Sequence, residues 1–487
     1  MREMIKQLPE IIRAAATSNL GIIALMVILL SALAYAFFRK SREGWRLAAL
    51  SLLFVGCFAF GFAVLRVGRP PGSTRVTLAS ATPLDADLGG LGVATHRWIE
   101  ASERAREAKT IATGRALPND LIAARNEFEN AWSNASLADK KRLLPEQVSK
   151  ALSNLNRLYR LIEADSSTQP TANSWADEAI RFFEEIQHRK FLTEALLDKA
   201  AIYLDLAQLG NNDKEQFERM AREGDAVMTH AFRAADSEQR PIVLRISSRF
   251  YYNLSRPKTF RLSEEWDNNY LLLAYQKAKE AYDLGPSDIK SANELARTVI
   301  KASKNPPQDG DPVWVTRLRE SQEQLKKAWT QDESKLLGLN QRLSPLDVLG
   351  VSTLETVARE WSDLELEARR RAAAGYLEEL ETDALAPLRE AAALLQNSEL
   401  RKSYGFDIYY DIARAHAVKT AILRALDGTR ADKEFVELKS NLAIAKENAK
   451  TSQLEAAVKD VHKEIAFVLL TPDERSDLAK LLSVGTI

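Results

Sequence analysis

The chain has 487 residues, with 67 Lys and Arg against 67 Asp and Glu, so its formal net charge is zero. That balance excludes a general electrostatic attraction to nucleic acid or to acidic ligands. Its single cysteine, Cys57, excludes a disulfide framework, a cysteine-ligated zinc site and thiol catalysis in the rest of the protein.

Residues 1–18 place Ile5, Leu8, Ile11 and Ile12 on one helical stripe, with Lys6 and Arg13 elsewhere. This is the pattern of a short amphipathic tail lying in a membrane interface. Residues 19–67 then hold two apolar runs, Asn19–Phe38 and Leu47–Leu65, of 20 and 19 residues without a charge. At about 1.5 Å rise per residue, each run is long enough to cross about 30 Å of hydrocarbon. Charges gather at the edges instead: Arg39, Lys40, Arg42 and Arg46 in the link, Arg66 and Arg69 after the second run. The expected element is a two-helix transmembrane hairpin. A cleaved signal peptide ending at Ala34-Tyr35-Ala36 is disfavoured, because the run is too long and a second follows at once. Ala32/Ala36 and Ala59/Ala63 are small residues four apart, a spacing that lets membrane helices approach closely.

Basic residues divide between the link and the two flanks, so orientation rests on a small difference. Placing both ends inside avoids moving the long polar body across the bilayer. The expectation is an integral protein of a bacterial inner membrane with a cytoplasmic body.

Residues 68–95, opening with Pro70-Pro71-Gly72, read as a linker. From His96 onward the pattern is helical, and no stretch alternates with period two for long enough to argue for a sheet. Helix starts are signed at Thr471-Pro472-Asp473-Glu474, which combines an N-cap, a proline at the first helical position and a capping-box glutamate. Asn212 with Glu215, and Ser287 after Pro286, give weaker starts. Bulky residues recur at Trp132, Phe182, Phe232, Tyr282, Trp329, Tyr376 and Leu426, 47 to 50 residues apart. That period is the size of two helices and their turns, and it predicts stacked helical hairpins.

Within one unit, Ala274, Ala278, Ala281 and Pro286 have the small-residue and proline spacings of a tetratricopeptide repeat's second helix, and Leu295-Ala296 could open the next. The segment resembles that family over about one repeat, although the period here exceeds the family's 34 residues. Small residues are required where two helices of a hairpin pack closely, and the proline ends the helix. The resemblance implies protein or peptide binding in a groove and no catalysis. The expected fold class is all-α: a transmembrane helical hairpin followed by a tetratricopeptide-like α-solenoid. Residues 304–312, rich in Pro and Gly, divide that solenoid into 96–303 and 313–487, as a domain boundary or as a long loop between repeats. Glu365 with Arg369, and Glu367 with Arg371, have the i,i+4 spacing of surface ion pairs.

No phosphate loop, nucleophile elbow or His-Glu-x-x-His helix is present, and His96, His188, His230, His416 and His462 are scattered. Asp407, Asp411 and His416 are the nearest approach to a polar cluster, and they read as ordinary surface hydrogen bonding. No catalytic, metal or cofactor residues are assigned. Arg249, Tyr251, Tyr252 and Arg256, with Lys258 and Arg261 after them, interleave cations with aromatics. Such a stretch can bind single-stranded nucleic acid, but the neutral chain argues against that. It reads either as aromatics packed into the solenoid or as a patch for a protein partner. The sequence thus predicts a non-enzymatic, membrane-anchored helical-repeat scaffold with the bilayer and a protein as partners. A second reading makes the hairpin a membrane effector that homo-oligomerises and perturbs the bilayer. Nothing in the composition points to nucleic acid as a partner.

Overall fold

The computed structural model describes residues 89–107, 117–166, 168–209, 213–256, 267–304, 311–331, 339–396, 398–426 and 428–483. The amphipathic tail, the hairpin and nearly all of the linker lie outside these residues. Among the described residues no helix is long and apolar enough to cross a membrane.

Every element among them is helical. In chain order they are α1 (Gly89–Glu107), α2 (Asn119–Asn134), α3 (Leu137–Lys140), α4 (Pro145–Ile162), α5 (Pro170–Glu185), α6 (Arg189–Leu209) and α7 (Lys214–Ala234). Next come α8 (Arg240–Leu254), α9 (Asn268–Leu284), α10 (Ile289–Lys304), α11 (Asp311–Gln331), α12 (Leu339–Asp363) and α13 (Leu366–Glu379). A π-helical turn (Leu380–Leu385) leads into α14 (Ala386–Leu394), followed by α15 (Ser398–Arg424), α16 (Gly428–Glu447), α17 (Thr451–Lys463), α18 (Ile465–Val468) and α19 (Pro472–Leu482).

The local reasons are visible in each element. In α4, Val148, Ala151, Leu152, Leu155 and Leu158 fall on one stripe at helical spacing and are all buried, and Pro145 sits in its first turn. At α19 the Thr471 hydroxyl accepts from the Glu474 amide while the Glu474 carboxylate accepts from the Thr471 amide, closing the capping box that the sequence predicted. The other two starts are shifted by one residue. Asp213, not Asn212, caps α7, accepting from the amides of Glu215 and Gln216. Asp288, not Ser287, accepts from the amides of Lys290 and Ser291 at the start of α10. A carboxylate in that position also meets the positive end of the helix dipole.

Consecutive helices pack as hairpins: α4 with α5, α6 with α7, α8 with α9, α10 with α11, and α15 with α16. Alternate helices also touch, α1 with α4, then α6, α8, α10, α12 and α15 in turn, forming a continuous inner layer. Each step of this layer carries a polar bond between residues about one repeat apart in sequence. Trp98 Nε1 donates to the Ala151 carbonyl at 2.9 Å, and Ser149 Oγ to Glu194 at 2.8 Å. Gln239 Nε2 reaches the Lys190 carbonyl at 3.1 Å, Arg249 Nε reaches Glu294 at 2.8 Å, and Asn293 Nδ2 reaches Ser344 at 3.1 Å. This is an all-α helical-repeat fold, built so that each unit is neighboured by the next.

Trp132, Phe182, Phe232, Tyr282 and Trp329 each stand two or three residues before the end of α2, α5, α7, α9 and α11. They mark equivalent points in the outer helices, as the period implied. The rhythm fails later for a structural reason. The outer helix after α12 is drawn out through α13, the π turn and α14, so Leu426 falls in the turn beyond α15, where it is 47% exposed. The π turn is wide enough to keep Leu380, Ala384 and Leu385 facing the core.

Ala274, Ala278 and Ala281 of α9 are fully buried, and Pro286 lies just beyond the helix end. The apolar core is continuous across residues 305–310, with Val299 and Ala302 before them and Trp314 and Leu318 after them in one cluster. Neither Glu365–Arg369 nor Glu367–Arg371 forms an ion pair. Arg369 instead donates to the carbonyls of Trp361 (3.1 Å) and Ser362 (2.8 Å), tying the end of α12 to α13.

Two glycines in this region give opposite expectations. A Cβ at Gly350 in α12 would stand 2.9 Å from the Ala384 carbonyl oxygen and against Leu388, so Gly350→Ala is expected to cost roughly 1–3 kcal/mol. Gly375 in α13 has open space, and Gly375→Ala is expected to add about 0.5–1 kcal/mol through helix propensity. Thermal unfolding of the two variants checks both signs.

Candidate functional site

The four residues of the predicted partner patch all lie at the carboxyl end of α8, but they do not act together. Arg249 is drawn onto Glu294 of α10, a fully buried carboxylate that Arg297 also holds at 2.8 Å. The Tyr251 ring is buried and its hydroxyl donates to Asp225 of α7. Burial, together with that bond, raises the Tyr251 pKa, so the phenol stays neutral. Tyr252 is half-buried, with the Arg297 guanidinium 4.8 Å and the Arg256 guanidinium 5.9 Å from its ring centre. Arg249, Tyr252 and exposed Arg256 therefore share the side facing α10, while Tyr251 turns toward α7. Lys258 and Arg261 lie outside the described residues.

Asp411 and His416 correct a sequence expectation, whereas Asp407 is exposed as expected. They belong to α15, and the part of α15 around them is no ordinary surface: Arg414 is 3% and His416 4% exposed. Arg414 is the centre of a charge node. Its guanidinium contacts Glu355 of α12, Asp411 at 2.6 Å on its own helix, and Glu464, which precedes α18, at 2.5 Å. Lys304, the last residue of α10, bridges the same two glutamates at 2.9 Å and 2.8 Å. Periodicity could not find this node, because its members come from four separate helices or their ends. His416 stands apart from it, hydrogen-bonded through Nδ1 to Glu434 of α16, with Lys419 3.2 Å from the same carboxylate. Among the described residues no group of three or more His, Cys, Asp and Glu side chains is placed to hold a metal ion.

The node divides its carboxyls into two kinds. Burial would push Glu355 up, but Lys304 and Arg414 outweigh it and hold the carboxyl down at about 2. Asp347 of α12 goes the other way. Burial, then the charges of Asp411 and Asp407, raise it well above the usual carboxylate range, with Arg414 opposing them, and its Oδ1 is buried without a hydrogen-bond partner.

A surface groove of about 570 Å³ lies where the carboxyl ends of α4 and α6 come side by side. Arg157, Arg160 and Leu161 of α4 line it from one side, and Asp205 and Leu209 of α6 from the other. Arg160 Nε is 2.8 Å from Asp205, whereas Arg157 forms no close salt bridge among the described residues and acts with Arg160 on the buried carboxylate of Asp198. Leu161 and Leu209 are 37% and 41% exposed. Gln169, with left-handed backbone (φ 42°) at the entry to α5, also lines the groove. Its side chain is 1% exposed, and both amide atoms lack a hydrogen-bond partner. Gln169 carries no sequence signal, because an isolated glutamine before a proline looks like any other turn residue.

No family model matches the chain, and no curated protein matches it. Among solved structures it is similar to one described as a circular tandem repeat protein with novel repeat topology and enhanced subunit contact surfaces. The two are 14% identical, the match covers 82% of this chain and 96% of the other, and the TM-score is 0.32. At that score the likeness carries no argument, and the repeat fold rests on the packing of the helices themselves.

Two outcomes test the node. Arg414→Met leaves Glu355 buried with one cation fewer and is expected to destabilise by about 3–5 kcal/mol, whereas Arg414→Met combined with Glu355→Gln should recover part of that loss. Asp347→Asn tests the raised carboxyl. A raised acid favours the folded state below its unfolded pKa, and that advantage is lost as pH rises through the folded value. The variant should therefore match the parent near about pH 4 and exceed its thermal stability near about pH 8.

Proposed function

We propose that the chain is a non-enzymatic, membrane-anchored scaffold that presents a helical-repeat surface to a protein partner. The single observation that carries the scaffold part is the inner layer of alternate helices. Each unit binds the next through polar bonds about one repeat apart in sequence, which leaves outer faces and inter-helix grooves along the stack for recognition. Glu294, Glu355, Lys304 and Arg414 are paired with other charges of the stack, which supports a role in its assembly rather than in chemistry on a substrate. Anchoring is supported by the sequence: Asn19–Phe38 and Leu47–Leu65 are uncharged over membrane-spanning lengths. The body is assigned to the cytoplasmic side of a bacterial inner membrane from the distribution of flanking arginines and lysines.

The test uses the full chain expressed in bacterial cells. It should float with the membrane fraction and resist alkaline extraction. Leu29→Arg together with Val55→Arg, each costing about 2.5–3.5 kcal/mol at mid-membrane, should move it to the soluble fraction. A carboxyl-terminal alkaline phosphatase fusion should be inactive, and an active fusion would reverse the orientation. Dye release from liposomes carrying the intact chain would favour the effector reading instead.

A further inference from the structure

The groove between the ends of α4 and α6 has chemistry that the stack does not use. Many buried polar side chains of the stack bond within their own helix or to the next repeat, as Thr193, Ser247 and Ser149 do, but Gln169 has no partner on either amide atom although it is 1% exposed. A buried amide left in this way costs the fold, because its bonds to water are lost without replacement. One donor and one acceptor held side by side match the C=O and N–H of an extended peptide backbone, which present the same pair in reverse. Beside it Arg157 forms no close salt bridge, although it and Arg160 both act on the buried carboxylate of Asp198, while Arg160 is held by Asp205. The side chains that line the groove thus carry two arginines against one carboxylate. Leu161 and Leu209 form apolar lips on opposite walls.

We propose that this groove is a peptide-binding site, taking an extended segment of a protein partner in which an acidic side chain neighbours an apolar one. The Gln169 amide pairs with the peptide main chain, Arg157 takes the carboxylate, and the apolar side chain lies between Leu161 and Leu209. This rests on the scaffold reading and adds to it the class of partner and the place of contact. A main-chain contact gives affinity with little sequence demand, and the Arg and Leu contacts supply the selection.

The experiment uses the full chain in detergent micelles and an array of acetylated hexapeptides. One set places Asp or Glu beside Leu, Ile or Phe, and the other has Lys in place of the acidic residue. Members of the acidic set are then measured in solution by fluorescence anisotropy. The acidic set should bind and the Lys set should not. Arg157→Glu should weaken the best member by about tenfold or more. Gln169→Leu should weaken it as well, while leaving the Tm equal to or above that of the parent, since an apolar side chain there has no bonds to lose. Arg160→Gln, at a cation already paired, should change binding by less than about threefold.

Equal binding of both sets, or binding by neither, overturns the proposal. So does binding that survives Arg157→Glu and Gln169→Leu together. A fall in Tm with Gln169→Leu would make the amide a structural part of the α5 entry, and that too overturns it. Self-association of the chain that Arg157→Glu abolishes would assign the groove to a second copy rather than to a peptide. Membrane flotation is independent of all these outcomes, so the anchored-scaffold reading stands or falls separately from the groove.

Discussion

The stack depends on polar bonds that join each inner helix to the one before it, about one repeat away in sequence. A hairpin of two helices cannot bury both of its faces alone, so its stability comes from the next hairpin. Apolar packing supplies most of that stability but is nearly indifferent to sliding by one turn. The bonds from Trp98 to Ala151, from Ser149 to Glu194, from Arg249 to Glu294 and from Asn293 to Ser344 fix the slide, because a shift would leave a buried donor or carboxylate without its partner. Arg414 on Glu355 is the last of the series and joins α12 to α15.

The groove is a by-product of the same arrangement. Where α4 and α6 end side by side, the chain must turn out to α5 and α7, and the turn through Gln169 carries a left-handed residue into a buried position. Most of the arginines around the inner layer are neutralised within the stack. Arg157 stands at its edge, with only the buried Asp198 acting on it from within and no close salt bridge.

Much of this architecture was legible in the sequence. The all-helical fold followed from periodicity, and the rhythm from Trp132 to Trp329 located the ends of the outer helices. Register was lost after Tyr376, where the π turn lengthens one unit. Caps were mislaid by one residue at Asn212 and Ser287 because Asp213 and Asp288, adjacent to them, make the stronger acceptors. Asp411 and His416 read as surface, and Arg414 gave no signal, because a helix with charges at several phases has no face that the sequence alone marks as buried. Only packing against α10, α12 and the entry to α18 reveals it. Arg249 and Tyr251 were visible as a mixed basic and aromatic stretch, but their partners Glu294 and Asp225 lie on other helices and gave no local sign.

The Lys304–Glu355–Arg414–Glu464 node has a consequence for how the protein comes apart. A linear array with only nearest-neighbour couplings melts from its ends, one unit at a time. Here the end of α10 is tied directly to the entry of α18, residues 160 positions apart, so the C-terminal helices cannot peel away singly. They form a cooperative block that opens as a whole. Fraying is thereby directed to the amino-terminal hairpins, and the carboxyl-terminal block holds the array together.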